Sequence, residues 1–528
     1  MKRLIFCLSV FSLLFSILMV LPGCKKEPEW VTDPAAMLEF STDTIMFDTV
    51  FTTVGSVTAN LRVYNRHEGK IRINDITLAG GTSSTYEVNI DGEPAVHLKD
   101  VEINPGDSIF IFVRVTVNPN DAGNPFVLED SLVFNTNGHH QAVKLIAWGQ
   151  NARYIIADRF IEGLPPFSIV AGENETVVWN NELPYLVYGY AVVDSTALLR
   201  IEEGTRIHFH SQSGLWIYKG GCLKVNGTID NPVIFQGDKL GYEYEEVPGQ
   251  WDRIWINEGS VDNEINYAVI KNGFIGIQAE TLQEYMDNQL TLTNTIIKNM
   301  TGAGIFTRFY VISGYNNVVG NCGQYTMALT MGGFYEFAHC TLANLWNESF
   351  RPTQSVALTN YVLDKNQVPQ VFPFSSWFGN SIIYGNLNDE FMADFEEGED
   401  YTWKFKNSLL KTTQSTSDTS HFKDCLVNEN PIFRDHAMND YHLDTIISPV
   451  IGKGSPTIAS NVPFDLDGVA RTENPDLGAF QFVPDTNANA GMKRTWHKTA
   501  VHKIKTNKTT GKTELQPAFG RKIQLPGQ

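Results

Sequence analysis

Two stretches, Leu345–Phe378 and Asn386–Lys404, gather side chains whose types suit sugar recognition. The first supplies Trp346, Arg351, Tyr361 and Trp377; the second supplies Asp389, Glu390, Asp394, Glu396 and Trp403. Flat aromatic rings offer large contact area to a sugar ring and lose little entropy on contact. Two carboxylates across a cleft would support glycosidic hydrolysis. A base beside a cation or metal would support elimination instead. A groove walled by Trp346, Arg351, Trp377, Asp389, Glu390, Asp394 and Trp403 suits a neutral or basic sugar better than a polyanion. The competing reading packs the same rings onto the body of the protein.

Other polar candidates are isolated. Arg253 follows Asp252, and His208 and His210 flank Phe209; each reads more simply as solvent-facing surface than as a site or a metal pair. No Cys/His spacing suggests zinc, and a calcium loop starting at Asp465 lacks the remaining ligand positions. The sequence therefore assigns no catalytic residue, no metal and no cofactor.

The elements that must position the two stretches follow from periodicity. Apolar pairs Leu199/Ile201, Ile207/Phe209, Leu215/Ile217 and Leu223/Val225 recur at an even step, and Val233/Phe235 follows after a slightly longer one. Each i, i+2 pair lies on one face of a strand. Glu203-Gly204, Ser213-Gly214 and Gly220-Gly221 sit between them without an Asn-Gly or Asp-Gly hairpin signal. Three short strands bending the same way make one coil, so the coil runs from Leu199 to the residue before Leu223.

Downstream, seven blocks align: Tyr267–Asn272, Asn294–Asn299, Asn316–Asn321, His339–Asn344, Asn380–Gly385, Asn407–Thr412 and Asp424–Glu429. Most steps between their starts match one coil of that length, and the long step from His339 to Asn380 is one coil carrying a long loop. The second position is small and the fourth is Ile, Leu or Val. Four blocks end in Asn272, Asn299, Asn321 and Asn344, where stacked amides would satisfy backbone groups at a corner. This pattern resembles right-handed parallel β-helix repeat proteins of the pectin lyase-like type. The resemblance implies an all-β fold with three strands per coil. It also implies that catalytic Asp, Glu, Lys or Arg, if any, would sit on outer strand faces or adjoining loops. The only carboxylates in the seven blocks are Asp424 and Glu429, both in the last, and polygalacturonase signatures are absent.

Before the helix, Lys2-Arg3, an apolar run Leu4–Val20 and Leu21-Pro22-Gly23-Cys24 describe a secretory signal. The run is short for a membrane span, and its end resembles a bacterial lipobox. That implies lipidation at Cys24, and Lys25 fits export to the outer membrane. Residues 25–151 read as an immunoglobulin-like β-sandwich: Ser108–Val117 alternates, with Ile109, Ile111, Val113, Val115 and Val117 on one face. Asn65, Asn104-Pro105-Gly106-Asp107-Ser108 and Trp148-Gly149 resemble bacterial abnormal-spindle/hydin domains, which implies a spacer.

Residues 152–484 are assigned to the β-helix with its caps. Trp179, Leu183, Tyr185, Leu186 and Tyr188 are suited to covering its start. Ser448–Gly454, Asp465–Arg471 and Asp476–Phe480 resemble the choice-of-anchor segment that follows bacterial β-helices. On that resemblance the segment closes the helix, with Arg471 paired to Asp465, Asp467 or Asp476. Residues 485–528 are basic and poor in apolar residues, which predicts a disordered tail.

Cys222, Cys322, Cys340 and Cys425 are expected as buried free thiols, since Cys340 and Cys425 lie three blocks apart. The net charge of −19 argues against nucleic acid as a partner. The resulting expectation is a monomeric outer-membrane lipoprotein, exposed at the cell surface, that binds glycan or a partner without catalysis. The alternative is a polysaccharide lyase or glycoside hydrolase.

Overall fold

The computed structural model describes residues 28–52, 55–117, 126–281, 289–471, 473–484, 503–506 and 513–516. Cys24 and Lys25 lie outside the described residues. The chain forms an N-terminal β-sandwich followed by a right-handed parallel β-helix.

The sandwich packs two five-stranded sheets. Ala59–Tyr64 and Tyr86–Ile90 flank Ser108–Val115 antiparallel in one sheet; His139–Gln150 pairs with Phe126–Thr136 in the other. Strand alternation decides the core. Ile109, Ile111, Val113, Val115 and Val117 are buried, whereas Phe110 and Phe112 point outward. Asn65 holds one corner. Its amide donates to the carbonyls of Gly69, Ile103 and Asn104 at 2.9–3.1 Å.

Within the helix, strands Leu198–Glu202, Arg206–Phe209, Gly214–Ile217, Cys222–Asn226 and Val233–Gly237 carry the periodic pairs. Every one of these paired apolar side chains is fully buried. Leu199 pairs in parallel register with Leu223, so the coil has the length that the spacing predicts. Among the described residues the coils build two sheets. One has eleven strands, one per coil, and forms a flank; the other has seventeen and wraps the remaining two sides.

The seven blocks contribute seven consecutive strands to the flank sheet, from Ala268–Lys271 through Leu426–Val427. The first residue of every block sits in the left-handed region, from Tyr267 and Asn294 to Asn407 and Asp424, with φ between 48° and 55°. Asn tolerates that conformation better than most residues, which explains its recurrence at block starts. The second position then closes the corner: Ser381 Oγ accepts the Cys340 N–H and Ser408 Oγ accepts the Ser381 N–H, both at 3.1 Å.

The C-terminal segment corrects the expected cap. It does not close the end of the helix; it runs along the outside of the flank sheet. Leu466, Tyr441, Ala479 and Phe480 pack on outward-facing Ile296 and Val318, while Leu443, Val450 and Leu477 pack on Ile382 and Leu409. The physical reason lies in the blocks: their outward third position is apolar in all but one, Thr341, and needs cover. Arg471 Nη2 donates to Asn316 Oδ1 at 2.7 Å and to the Gly478 carbonyl at 3.3 Å, not to the expected aspartates. Asp465 instead organises its own turn, accepting the N–H groups of Asp467, Val469 and Gln481.

Trp179 and Tyr185 stack at 4.5 Å at the start of the helix core. The four cysteines are free, but two depart from the expected burial: Cys222 and Cys425 are only half-buried. Within the tail, Lys503–Thr506 pairs antiparallel with Thr513–Gln516.

Candidate functional site

The two long stretches do approach one another, but through a buried ion pair. Arg351 Nη2 and Nη1 reach Glu390 Oε1 and Oε2 at 2.7 and 2.9 Å, with both side chains essentially sealed from solvent. Arg351 also donates to the carbonyls of Thr353 and Asn344 and to Asn386 Oδ1. Glu390 also accepts the Ser355 and Leu387 N–H groups. Trp346 is buried, and its Nε1 donates to Ser349. Trp403 belongs to strand Tyr401–Lys406 and points into the core, its ring 3.8 Å from His421.

Trp377 is half-buried on the outer side of strand Phe374–Gly379, with its ring over Gly379. Asp389 accepts from Thr412 and Thr413, and Asp394 accepts from the exposed Tyr361 hydroxyl at 2.7 Å. The expected groove is therefore a packed junction. Trp346, Arg351, Glu390 and Trp403 do not wall an open surface.

Of the proposed ladder, Asn321 Nδ2 donates to Asn299 Oδ1 at 2.7 Å and Asn299 Nδ2 to Asn272 Oδ1 at 3.2 Å. Asn344 turns to backbone instead, accepting the Cys322 N–H and donating to the Gln324 carbonyl. These are contacts of a corner, not of a ligand.

His208 is not surface. Phe51 of the sandwich covers it edge-on at 4.8 Å, and burial depresses its imidazole to about 3. His210 instead pairs with Asp238 at 2.7 Å. Among the described residues no group of three or more His, Cys, Asp or Glu side chains is placed to hold a metal.

The converging polar and aromatic residues lie on the outward face of successive strands in the wrapping sheet. These strands are Tyr190–Val193, Gly214–Ile217, Ile254–Ile256, Ile277–Glu280 and Ile305–Tyr315. Parallel register places Trp216 on Trp255, Trp255 on Gln278 and Gln278 on Phe306. Trp216 and Trp255 stack at 4.8 Å with 15° between planes.

A hydrogen-bonded chain runs across the same face. The Tyr190 hydroxyl donates to Asp252 Oδ2, Arg253 Nε to Asp252 Oδ1 at 2.9 Å, and Arg253 Nη1 to Gln278 Oε1. Glu280 Oε1 accepts from Trp255 Nε1 at 2.6 Å and from Asn257 at 3.4 Å; Oε2 accepts from Gln278 at 3.1 Å and from Arg308 at 3.5 Å. Burial, and then the Asp252 carboxylate, raise the Tyr190 hydroxyl well above its ordinary value.

Next to this chain is a pocket of about 260 Å³, lined by Arg253, Phe274, Gln278, Phe306, Arg308 and Tyr325 among others. Phe274 is well exposed and Arg253 lies over its ring at 5.4 Å; Arg308 lies over Phe306 at 5.3 Å. Sequence reasoning singled out Arg253 and Asp252 and missed the rest. Only the coil register brings Gln278 and Phe306, a full coil apart along the chain, side by side.

The sequence model of a family described as "Pectate-lyase like beta helix domain" matches residues 172–302. That span includes most of the polar chain and half of the pocket. No curated protein matches the chain. Three solved structures are similar to parts of it. One is a protein of unknown function from Porphyromonas gingivalis W83, at 12% identity and TM-score 0.17, with 24% of this chain and 51% of that one covered. This chain thus spans about half of that protein's length. Another is PapD-like domain 7 of human CEP192, at 10% identity and TM-score 0.17, covering 25% and 94%. The third is the catalytic unit of a GH87 α-1,3-glucanase from Streptomyces thermodiastaticus, at 10% identity and TM-score 0.22, covering 70% and 89%.

Proposed function

We propose that this protein is a membrane-anchored β-helix lipoprotein that binds carbohydrate without catalysis, and that the Arg253–Phe306–Tyr325 pocket is its binding site. The supporting observation is the pocket's composition: aromatic rings on several sides, with amide and guanidinium donors between them. Such a site offers apolar faces to a sugar ring and hydrogen bonds to its hydroxyls. The nearby carboxylates favour binding over bond cleavage. Each oxygen of Asp252 and Glu280 already accepts a protein donor, and neither acid lines the pocket, so a sugar held there does not lie between two lining carboxylates of the kind glycosidases use.

Anchoring rests on the lipobox at Cys24 and export to the outer membrane on Lys25. The sandwich suits the role of a spacer. Asn137 Nδ2 donates to the Val31 carbonyl at one end, and Tyr154 of the helix contacts Thr52 at the other. Strand His139–Gln150 spans between them, about 36 Å at 3.3 Å per residue. That length would lift the helix clear of a membrane surface.

The test is a polysaccharide panel applied to the purified ectodomain, scoring both retention and release of reducing or unsaturated ends. Retention without release, weakened by Phe306→Ala, supports the reading. Release of oligosaccharide would replace it with the lyase or hydrolase alternative.

A further inference from the structure

The pocket's lining carries two guanidinium groups and no carboxylate. Arg253 is engaged: Asp252 takes its Nε and Gln278 its Nη1. Arg308 is different. Its side chain is 50% exposed, and its one hydrogen bond to Glu280 is long, at 3.5 Å. Glu280 is meanwhile shared among Trp255, Asn257 and Gln278. A guanidinium carries five N–H donors in a planar fork that matches an anionic oxygen pair, so most of Arg308's capacity is open toward a ligand. Gln278 and Gln324 add amides on the same lining.

Size narrows the ligand further. About 260 Å³ falls below the roughly 300–1,000 Å³ of pockets that enclose a drug-sized molecule. It accommodates one ring between Phe274, Phe306 and Tyr325 rather than several.

We infer that the Arg253–Phe306–Arg308 pocket selects a single sugar ring bearing one anionic substituent, with Arg308 as the group that reads the charge. This rests on the glycan-binding reading above and reverses the neutral-or-basic preference expected of the two long stretches. A carboxylate and a sulfate or phosphate ester share the required chemistry, namely two or more anionic oxygens facing a guanidinium fork.

The experiment is calorimetric titration of the intact ectodomain with glucuronic acid, glucose 6-sulfate, glucose 6-phosphate, glucose and inorganic sulfate. At least one anionic sugar is expected to bind tenfold or more tightly than glucose, and the uronate and ester arms identify which anion is preferred. Arg308→Gln should abolish that preference while leaving the melting temperature unchanged. Glucose binding as tightly as the charged sugars would overturn the inference and leave the glycan reading intact. So would a preference that survives Arg308→Gln, or inorganic sulfate binding as tightly as the best sugar. Absence of binding to every sugar here, together with no retention on the polysaccharide panel, would remove both.

Discussion

Arg351 and Glu390 meet in a two-pronged ion pair at 2.7 and 2.9 Å, distant in sequence and shut away from solvent. The pair joins the turn after Thr341–Asn344 to the turn after Ile382–Gly385, so it locks neighbouring coils at one corner. Removing one partner strands a buried charge, which typically costs about 3–5 kcal/mol. Glu390→Ala is expected to lower the urea midpoint by a corresponding amount. A midpoint unchanged within error would mean that water reaches the pair.

Asn299 is the most connected of the corner amides. It donates to Glu246 and Asn272 and accepts from Asn321 and Asn439. Glu246 also takes both carboxylate contacts from buried Lys298 at 2.8 Å. Asn299→Leu leaves these polar groups short of partners at about 1–3 kcal/mol. Thermal unfolding should register this as a clear fall in melting temperature, and an unchanged value would place Asn299 outside the stability network.

His208 makes the interface with the sandwich sensitive to acid. Its folded value of about 3 lies below the ordinary 6.5, with burial as the first cause. The folded state therefore holds it neutral, and its contribution is complete above pH 6.5 and lost progressively as pH falls toward 3. His442 runs the other way. Buried between Asp440 and Asp467 and lifted to about 9, it stabilises below pH 6.5 and loses that contribution as pH rises through 9. Comparing wild type with His208→Gln isolates the first effect. Between about pH 6.5 and 5 the wild type should lose about 2 kcal/mol more than the variant. Parallel pH profiles would show that His208 is solvated.

The repeat was legible because it is written in one dimension. Leu199 and Leu223, or Ile270 and Ile297, share a position in consecutive coils, and spacing alone pairs them. The pocket was not, because its parts come from outward strand positions such as Gln278, Phe306 and Arg308 and from turns such as those at Phe274 and Tyr325, none of which carries a periodic signal. Gln278, Phe306 and Arg308 converge only once the register is fixed. The long stretches misled for a related reason. Trp403 was counted with a loop, yet it occupies an inward position of a strand, in phase with Phe405. Arg351 looked free because nothing local marks Glu390 as its partner.

Cys24 gives a biochemical test of the anchor. Cys24→Ala should leave an unprocessed or soluble product, whereas the wild type should partition into detergent with the membrane fraction. One acyl chain gives marginal attachment and several give a stable one, at about 0.8 kcal/mol per buried methylene. Equal partitioning of the two forms would remove the lipoprotein reading.

Gly320 probes the C-terminal segment where it crosses the flank. Its strand, Val318–Cys322, lies beneath Tyr441, whose hydroxyl donates to Asn439 at 3.2 Å. A methyl group built on Gly320 would sit 2.7 Å from the Tyr441 ring carbons Cε2 and Cζ, closer than van der Waals contact allows. Gly320 is not among the left-handed glycines, so alanine is conformationally acceptable and the penalty falls on Tyr441. Overpacking of this kind typically costs about 1–3 kcal/mol. Displacing Tyr441 would also loosen Asn439 from Asn299 and Glu246. Gly320→Ala should therefore speed proteolytic cutting within residues 436–447 while the coils beneath stay resistant. Cutting at the wild-type rate would show that the segment is held elsewhere, through Asn316–Arg471 and Asn380–Ser455.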